Sequence, residues 1–245
     1  MEISLAAEPV IYFFGLTITN SLLASFFLTV FFFVFSWRFS KIKLCTIPKP
    51  NSLQNIIEFV FEGLLSFFKS AAGEKTRTFF PLAATFFFFI LFGNWMGLLP
   101  GFGSIGVWEV IHGELVLVPL LRGVTADLNT TLALAIISVV SLQYYGIKEI
   151  GIKYISKFIS FKDPISFFVG ILEIISEFAK ILSFAFRLFG NIFAGEVLLV
   201  VMGFLLPFIA PLPFLGLEIF VGLVQALVFV MLTLVFLRVA TSQSH

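Results

Sequence analysis

The sequence predicts an all-α integral membrane protein: about five membrane helices plus one interfacial amphipathic helix, the last two helices long and strongly tilted as a hairpin. Three observations carry this. Of 245 residues, 60% are hydrophobic and only 12% are charged, with a mean hydropathy of +1.11. Soluble domains are about 45–50% apolar and about 25% charged, so too few polar groups are present to cover a soluble surface. A soluble globular enzyme and a disordered chain are both excluded. Uncharged runs of bilayer length recur along the chain, and two proline-free runs near the end exceed that length. The net charge of +1 offers no field for nucleic acid. A single cysteine, Cys45, and two histidines, His112 and His245, make neither an internal disulfide nor a metal site. There is no glycine-rich phosphate loop, so no cofactor is expected. The acidic start lacks a basic signal-peptide region, so the first apolar stretch is expected to be retained.

Residues 10–36 carry no charge. A bilayer core about 30 Å thick takes about 20 helical residues to cross, so this stretch reads as the first span, with Trp37 at the interface. Arg38, Lys41, Lys43 and Lys49 follow with no acid among them. Basic loops stay cytoplasmic, which puts the N-terminus outside. Prolines at 48 and 50 then break the chain, and Ser52 is the expected cap of a helix over 52–72. Its polar residues Asn55, Glu58, Glu62, Ser66 and Lys69 fall at helical spacing on one narrow stripe, as in a helix lying in the membrane plane. If it spanned, Lys75 and Arg77 would sit opposite the basic 38–49 loop, so the interfacial placement is preferred.

Residues 78–99 form the next span, ended by Pro100 and Gly101. Residues 101–125 read as an outer loop or partly re-entrant segment with Glu109, His112, Glu114 and Arg122, and 126–147 returns inward. Lys148, Lys153, Lys157 and Lys162 then outnumber Glu149 and Asp163. In this topology every Lys and Arg except Arg122, Lys180 and Arg187 lies on the cytoplasmic side or at its border, and the C-terminus is cytoplasmic.

Asp163 and Pro164 open the next helix as cap and first-turn residue. Its run, 164–206, would be about 60 Å long at 1.5 Å per residue, twice the hydrocarbon thickness. A second run, 214–239, follows the turn between Pro207 and Pro213. Such excess requires steep tilt, a kink or a course along the membrane plane, with Gly170, Gly190 and Gly195 as bend or close-approach points. With Glu173 at zero on a helical wheel, Glu177, Lys180, Arg187 and Asn191 lie within about 40°, Ser183 at about 80° and Glu196 at about 140°. Glu218 and Gln225, seven apart, share a face of the last helix. A charge at mid-bilayer costs at least about 2.5–3.5 kcal/mol, so rows of such groups default to an ion or proton pathway. Plainer readings stand beside this one. Glu173, Glu177 and Lys180 can form an interfacial stripe, Asn191 and Gln225 can be interhelical hydrogen bonds, Asp127, Asn129 and Thr130 can cap a helix, and Asn94 reads as structural.

FRLFGNIFAGEV (186–197) and GLVQALVFVMLTLVFL (222–237), with FGNWMGLLPG (92–101), TADLNTTLALA (125–135) and EIISEFAKILS (173–183), resemble the blocks of subunit a of F-type ATP synthases of the bacterial type, in the same order. The likeness covers most of the chain from residue 50 onward. It implies a multi-pass stator subunit in the bacterial inner membrane, forming two proton half-channels against a rotating ring of subunit c. Peripheral-stalk subunit b is an implied neighbour and the soluble catalytic sector an indirect one. By the same resemblance Arg187 is the stator arginine, Glu196, Glu218, Asn191 and Gln225 belong to the outer half-channel, and Glu173, Ser176, Lys180 and Ser183 belong to the inner one. Some members carry histidine at one of the two acidic positions, where this chain has Glu at both. Many have Arg-Pro where this chain has Lys180-Ile181, which keeps a charge but loses a bidentate fork and a local break. A stand-alone secondary transporter is the alternative, though the internal repeat that such folds often carry is not evident. A membrane scaffold is the other.

Overall fold

The computed structural model describes residues 9–13, 16–41, 53–99, 102, 106–111, 114–151, 154, 158, 163–207 and 209–242. Six helices make up almost all of it: α1 (Asn20–Ser40), α2 (Leu53–Ala72), α3 (Thr76–Met96), α4 (Leu128–Ile150), α5 (Pro164–Leu205) and α6 (Pro211–Thr241). Two antiparallel hairpins accompany them among the described residues, β1 (Pro9–Phe13) with β2 (Leu16–Thr19) ahead of α1, and β3 (Gly106–Ile111) with β4 (Glu114–Pro119) between α3 and α4. Among the described residues five helical runs are long and apolar enough to cross a membrane: α1, the α2–α3 run, α4, α5 and α6.

The first helix begins at Asn20, ten residues later than the uncharged run beginning at 10 suggests. Residues 9–13 pair instead with residues 16–19, with Tyr12 opposite Thr17. Hydropathy alone cannot separate an apolar strand from an apolar helix. The boundary is set by Thr19, whose extended backbone and side-chain oxygen cap the Leu22 amide at 3.4 Å. The helix is apolar all round, yet only Asn20, Ser21, Ala24 and Leu28 are buried. These positions make a narrow seam of mostly small residues, and the Phe side chains at 26, 27, 31, 33 and 35 face outward. The basic loop ahead of α2 is described only at Arg38 and Lys41. Its Lys43 and Lys49, the expected cap Ser52, and Lys153, Lys157 and Lys162 lie outside the described residues.

An elbow joins α2 to α3. Gly73 takes φ +65, a conformation that costs a residue with a side chain far more than it costs glycine. The Arg238 guanidinium packs where a Cβ would point, 3.6 Å away. Pro81 lies inside α3, in its second turn, where it lacks the amide hydrogen of an ordinary helical bond. Asp127 caps α4 by accepting the Asn129 amide at 3.1 Å. It also accepts the Ser21 hydroxyl at 2.7 Å, tying the top of α1 to the start of α4. Helix α6 begins at Pro211 rather than 214. Pro211 and Pro213 fall in its first turn, where a missing amide hydrogen costs nothing.

The core lies between α3, α4, α5 and α6. Phe79, Ile90, Leu188, Leu234 and Leu237 are all under 2% exposed in it. On α5 the buried positions Phe184, Ala185, Leu188, Ile192 and Gly195 repeat at helical spacing and dock this helix on the bundle. Its opposite face is left open, and that face carries the site.

Candidate functional site

Helix α5 runs unbroken for 42 residues, and Arg187 stands close to its midpoint. Arg187 is exposed, on the face away from the core, between the exposed residues Ser183 and Asn191. One guanidinium nitrogen donates to Ser183 Oγ at 3.3 Å, one turn earlier. Ser176 and Gly190 lie on the same open surface. A fixed cation therefore projects from an apolar helix where a neighbouring surface can reach it.

Two polar groups flank Arg187 along the axis. Toward the C-terminal end, nine residues or about 14 Å of helix away, lies Glu196. Its Oε2 is 3.7 Å from Nε of Arg122, in the loop before α4. Glu218, buried on α6, comes against α5 at Gly195. A methyl group built there would overlap the Glu218 carboxyl, so the bare α-carbon makes its seat. Around this pair α3 is pinned to α6. Asn94 Nδ2 donates to the Gly222 carbonyl at 2.9 Å, Trp95 Nε1 donates to the Ile219 carbonyl at 3.0 Å, and the Thr125 hydroxyl donates to Asn94 Oδ1 at 2.5 Å. Gly222 permits the approach, since a Cβ there would lie 3.1 Å from that of Asn94. Gln225, half-buried, follows Gly222 by one turn of α6.

Toward the N-terminal end, seven residues or about 10 Å of helix from Arg187, Lys180 donates to Glu177 Oε1 at 2.7 Å and lies 4.9 Å above the ring of Phe236. Glu177 Oε2 is buried and has no hydrogen-bond partner among the described residues. It borders an apolar recess of about 320 Å³ between α4 and α5, with Gln143, Phe158 and Ile181. Glu173, half-buried, precedes Glu177 by one turn. Tyr154, beyond α4, buries its ring on Gly146. Burial first, then the charges of Glu177 and Glu173, push its phenol from 10.0 up to about 12, so it stays a hydrogen-bond donor.

The residues expected on one face of α5 thus divide. Ser183, Arg187 and Asn191 share the open surface, whereas Glu177 and Lys180 pair inward toward α4 and α6. Glu196 and Glu218, on different helices, come together at a single crossing. Sequence reasoning missed the role of Arg122, treated as a loop charge, and of Thr125, and it read Asn94 as structural without its partners, Gly222 on α6 and Thr125. The adjacent polar residues Asn94-Trp95, at the end of a long apolar run, were the available signal for the second group. Asp127 proves to be a cap.

Residues 20–238 match the profile of the family described as ATP synthase A chain. The chain is 38% identical over 197 residues to ATP synthase subunit a of Syntrophobacter fumaroxidans, covering 80% of this chain and 74% of that relative. It is 38% identical over 185 residues to ATP synthase subunit a of Gloeobacter violaceus, covering 75% and 69%, and 34% identical over 199 residues to that of Geotalea daltonii, covering 80% and 77%.

Proposed function

We propose a residue-level mechanism on the premise that the chain belongs to the ATP synthase A chain family. It is a multi-pass membrane subunit with a stator role in proton translocation by a rotary ATP synthase. A stand-alone transporter is not favoured by a match that spans almost the whole sequence. In the proposed reading the open face of α5 meets a ring of subunit c. Glu196, Glu218, Asn191 and Gln225 form a half-channel to the outside, and Glu173, Ser176, Lys180 and Ser183 form one to the cytoplasm. Peripheral-stalk subunit b is a neighbour in the bacterial plasma membrane. The N-terminus is outside and the C-terminus cytoplasmic, with α2 in the interface.

Each ring subunit brings a carboxyl group to mid-membrane. Neutral, it tolerates lipid, whereas an unpaired carboxylate there costs several kcal/mol. A guanidinium never gives up its proton, so Arg187 relays nothing itself. It attracts the arriving carboxylate, favours proton loss into one half-channel, and keeps the two half-channels from joining. A proton admitted from outside therefore crosses only after the ring has turned. A potential of 100 mV contributes about 2.3 kcal/mol per charge moved, which the rotation delivers to the catalytic sector. Tilt of α5 and α6 accommodates helices of 42 and 31 residues in a core about 30 Å thick.

One observation carries the reading: an exposed arginine near the midpoint of an unbroken apolar helix, with a polar group on either side along the axis. The test is Arg187→Ala in the assembled complex. Proton-driven ATP synthesis should be abolished while the ring still co-purifies, and wild-type coupling would defeat the assignment.

A further inference from the structure

Arg122 lies on neither of the helices that carry the proton route, yet its side chain is only 12% exposed. A buried guanidinium is costly unless an anion compensates it. One such anion is Glu196, whose side chain is 26% exposed. Their separation, 3.7 Å from Nε to Oε2, exceeds the 2.7–3.2 Å of a hydrogen bond. The attraction is therefore charge with charge, and this guanidinium N–H does not occupy the carboxylate oxygen. The next residue, Gly123, supplies the seat. A Cβ there would stand 2.8 Å from Glu196 Oε1, so the carboxylate rests on bare backbone. Adjacent loop residues thus provide a cation and a notch for one acid of α5. The residue before that acid, Gly195, provides the notch for Glu218. Loop, Glu196 and Glu218 form a series leading from the chain segment before α4 into the α5–α6 crossing.

We propose that Arg122 is a positioning residue for proton entry: it holds the Glu196 carboxylate over Gly123, beside Glu218, by charge alone, leaving its oxygens able to exchange protons. The inference rests on the reading of Glu196 as a member of the outer half-channel. In the step proposed, an O–H bond forms at a Glu196 oxygen with a proton from outer water. That bond then breaks as one forms at the Glu218 carboxylate, restoring the Glu196 anion. Arg122 keeps all its protons throughout. A charge requirement of this kind is met in part by lysine, whose ammonium is a point charge without the planar fork.

The experiment uses the whole ATP synthase complex, purified and reconstituted in vesicles, and reads the initial rate of proton flux from the outer side under an imposed potential. Arg122→Gln should reduce this rate about tenfold or more, as loss of a close charge pair does elsewhere, with ring co-purification unchanged. Arg122→Lys should recover most of the loss. In a Glu196→Gln background, Arg122→Gln should bring no further loss, because the partner through which it acts is gone. Full flux in Arg122→Gln, or losses that multiply in the double variant, would overturn the proposal. If Arg122→Gln fails to assemble, Arg122→Met, which keeps the length of the stem and removes the charge, carries the same test. A reduction that disappears in the Glu196→Gln background supports the proposal, and full flux or a reduction that persists there overturns it. Full flux in Glu196→Gln alone would overturn the outer-channel reading itself, and the role of Arg122 with it. A slow Glu196→Gln beside a fully active Arg122→Gln would overturn only the latter.

Discussion

The carboxyl group of Glu218 on α6 rests against the α-carbon of Gly195 on α5, in space that any side chain at 195 would fill. The contact fixes both the distance between the two helices and the position of one acid beside the other. Gly195→Ala should push the Glu218 side chain out or part the helices. We expect proton-driven ATP synthesis to fall about tenfold or more, since small misplacements in a reacting constellation carry such costs, while the complex still assembles. ATP synthesis in reconstituted vesicles checks this, and wild-type rates would show that the seat is dispensable.

Ser138 on α4 and Thr233 on α6 share a buried hydrogen bond of 2.9 Å, and Thr233 also donates to the Phe229 carbonyl. Thr233→Val keeps the volume but leaves the Ser138 hydroxyl without this partner, at a cost of about 1–3 kcal/mol. Ser138→Ala should cost less, because Thr233 retains its backbone acceptor. The double variant should lie above Thr233→Val in thermal stability, measured in detergent.

At the elbow side of the bundle, Lys75 donates to Glu149 at 2.8 Å and to the Thr241 carbonyl at 3.2 Å, joining the ends of α4 and α6. Both partners of the ion pair are more than a third exposed, and such pairs contribute about 0.2–1 kcal/mol. Lys75→Ala should lower the melting temperature only slightly, and the difference from wild type should shrink further in high salt.

Tyr154 makes stability depend on alkaline pH. Its phenol ionises near 10.0 in the unfolded chain but only near about 12 when folded. The neutral form is favoured by folding, so the contribution is complete below pH 10. It is lost as pH rises toward 12, where the unfolded chain gives up the proton first. Tyr154→Phe cannot ionise and should lack this component. Denaturation midpoints across that range, compared between the two proteins, measure it.

Much of this architecture could be read from the chain. Long uncharged runs announced the helices, and proline positions bounded α5 at 164 and 207, because backbone satisfaction inside lipid leaves few options for such segments. The start of α1 escaped, since a strand and a helix of equal apolarity have the same mean hydropathy. The open face of α5 was visible in the spacing of Ser183, Arg187 and Asn191. The Glu196–Glu218 crossing was not, because it depends on which helices touch, and the two residues are 22 apart on different elements. Arg122 was invisible for the same reason: a loop cation acquires meaning only when its anion is known.

Helix α1 is held to the remainder through the short seam of Asn20, Ser21, Ala24 and Leu28 and the Ser21–Asp127 hydrogen bond, most of its aromatic residues turned away. Little interior packing is lost if it is pulled loose, and most of its surface must be satisfied by whatever surrounds the subunit. Harsh detergent should therefore peel it away before the four-helix body gives way, making it the hinged outermost stave of an otherwise tightly bound cask.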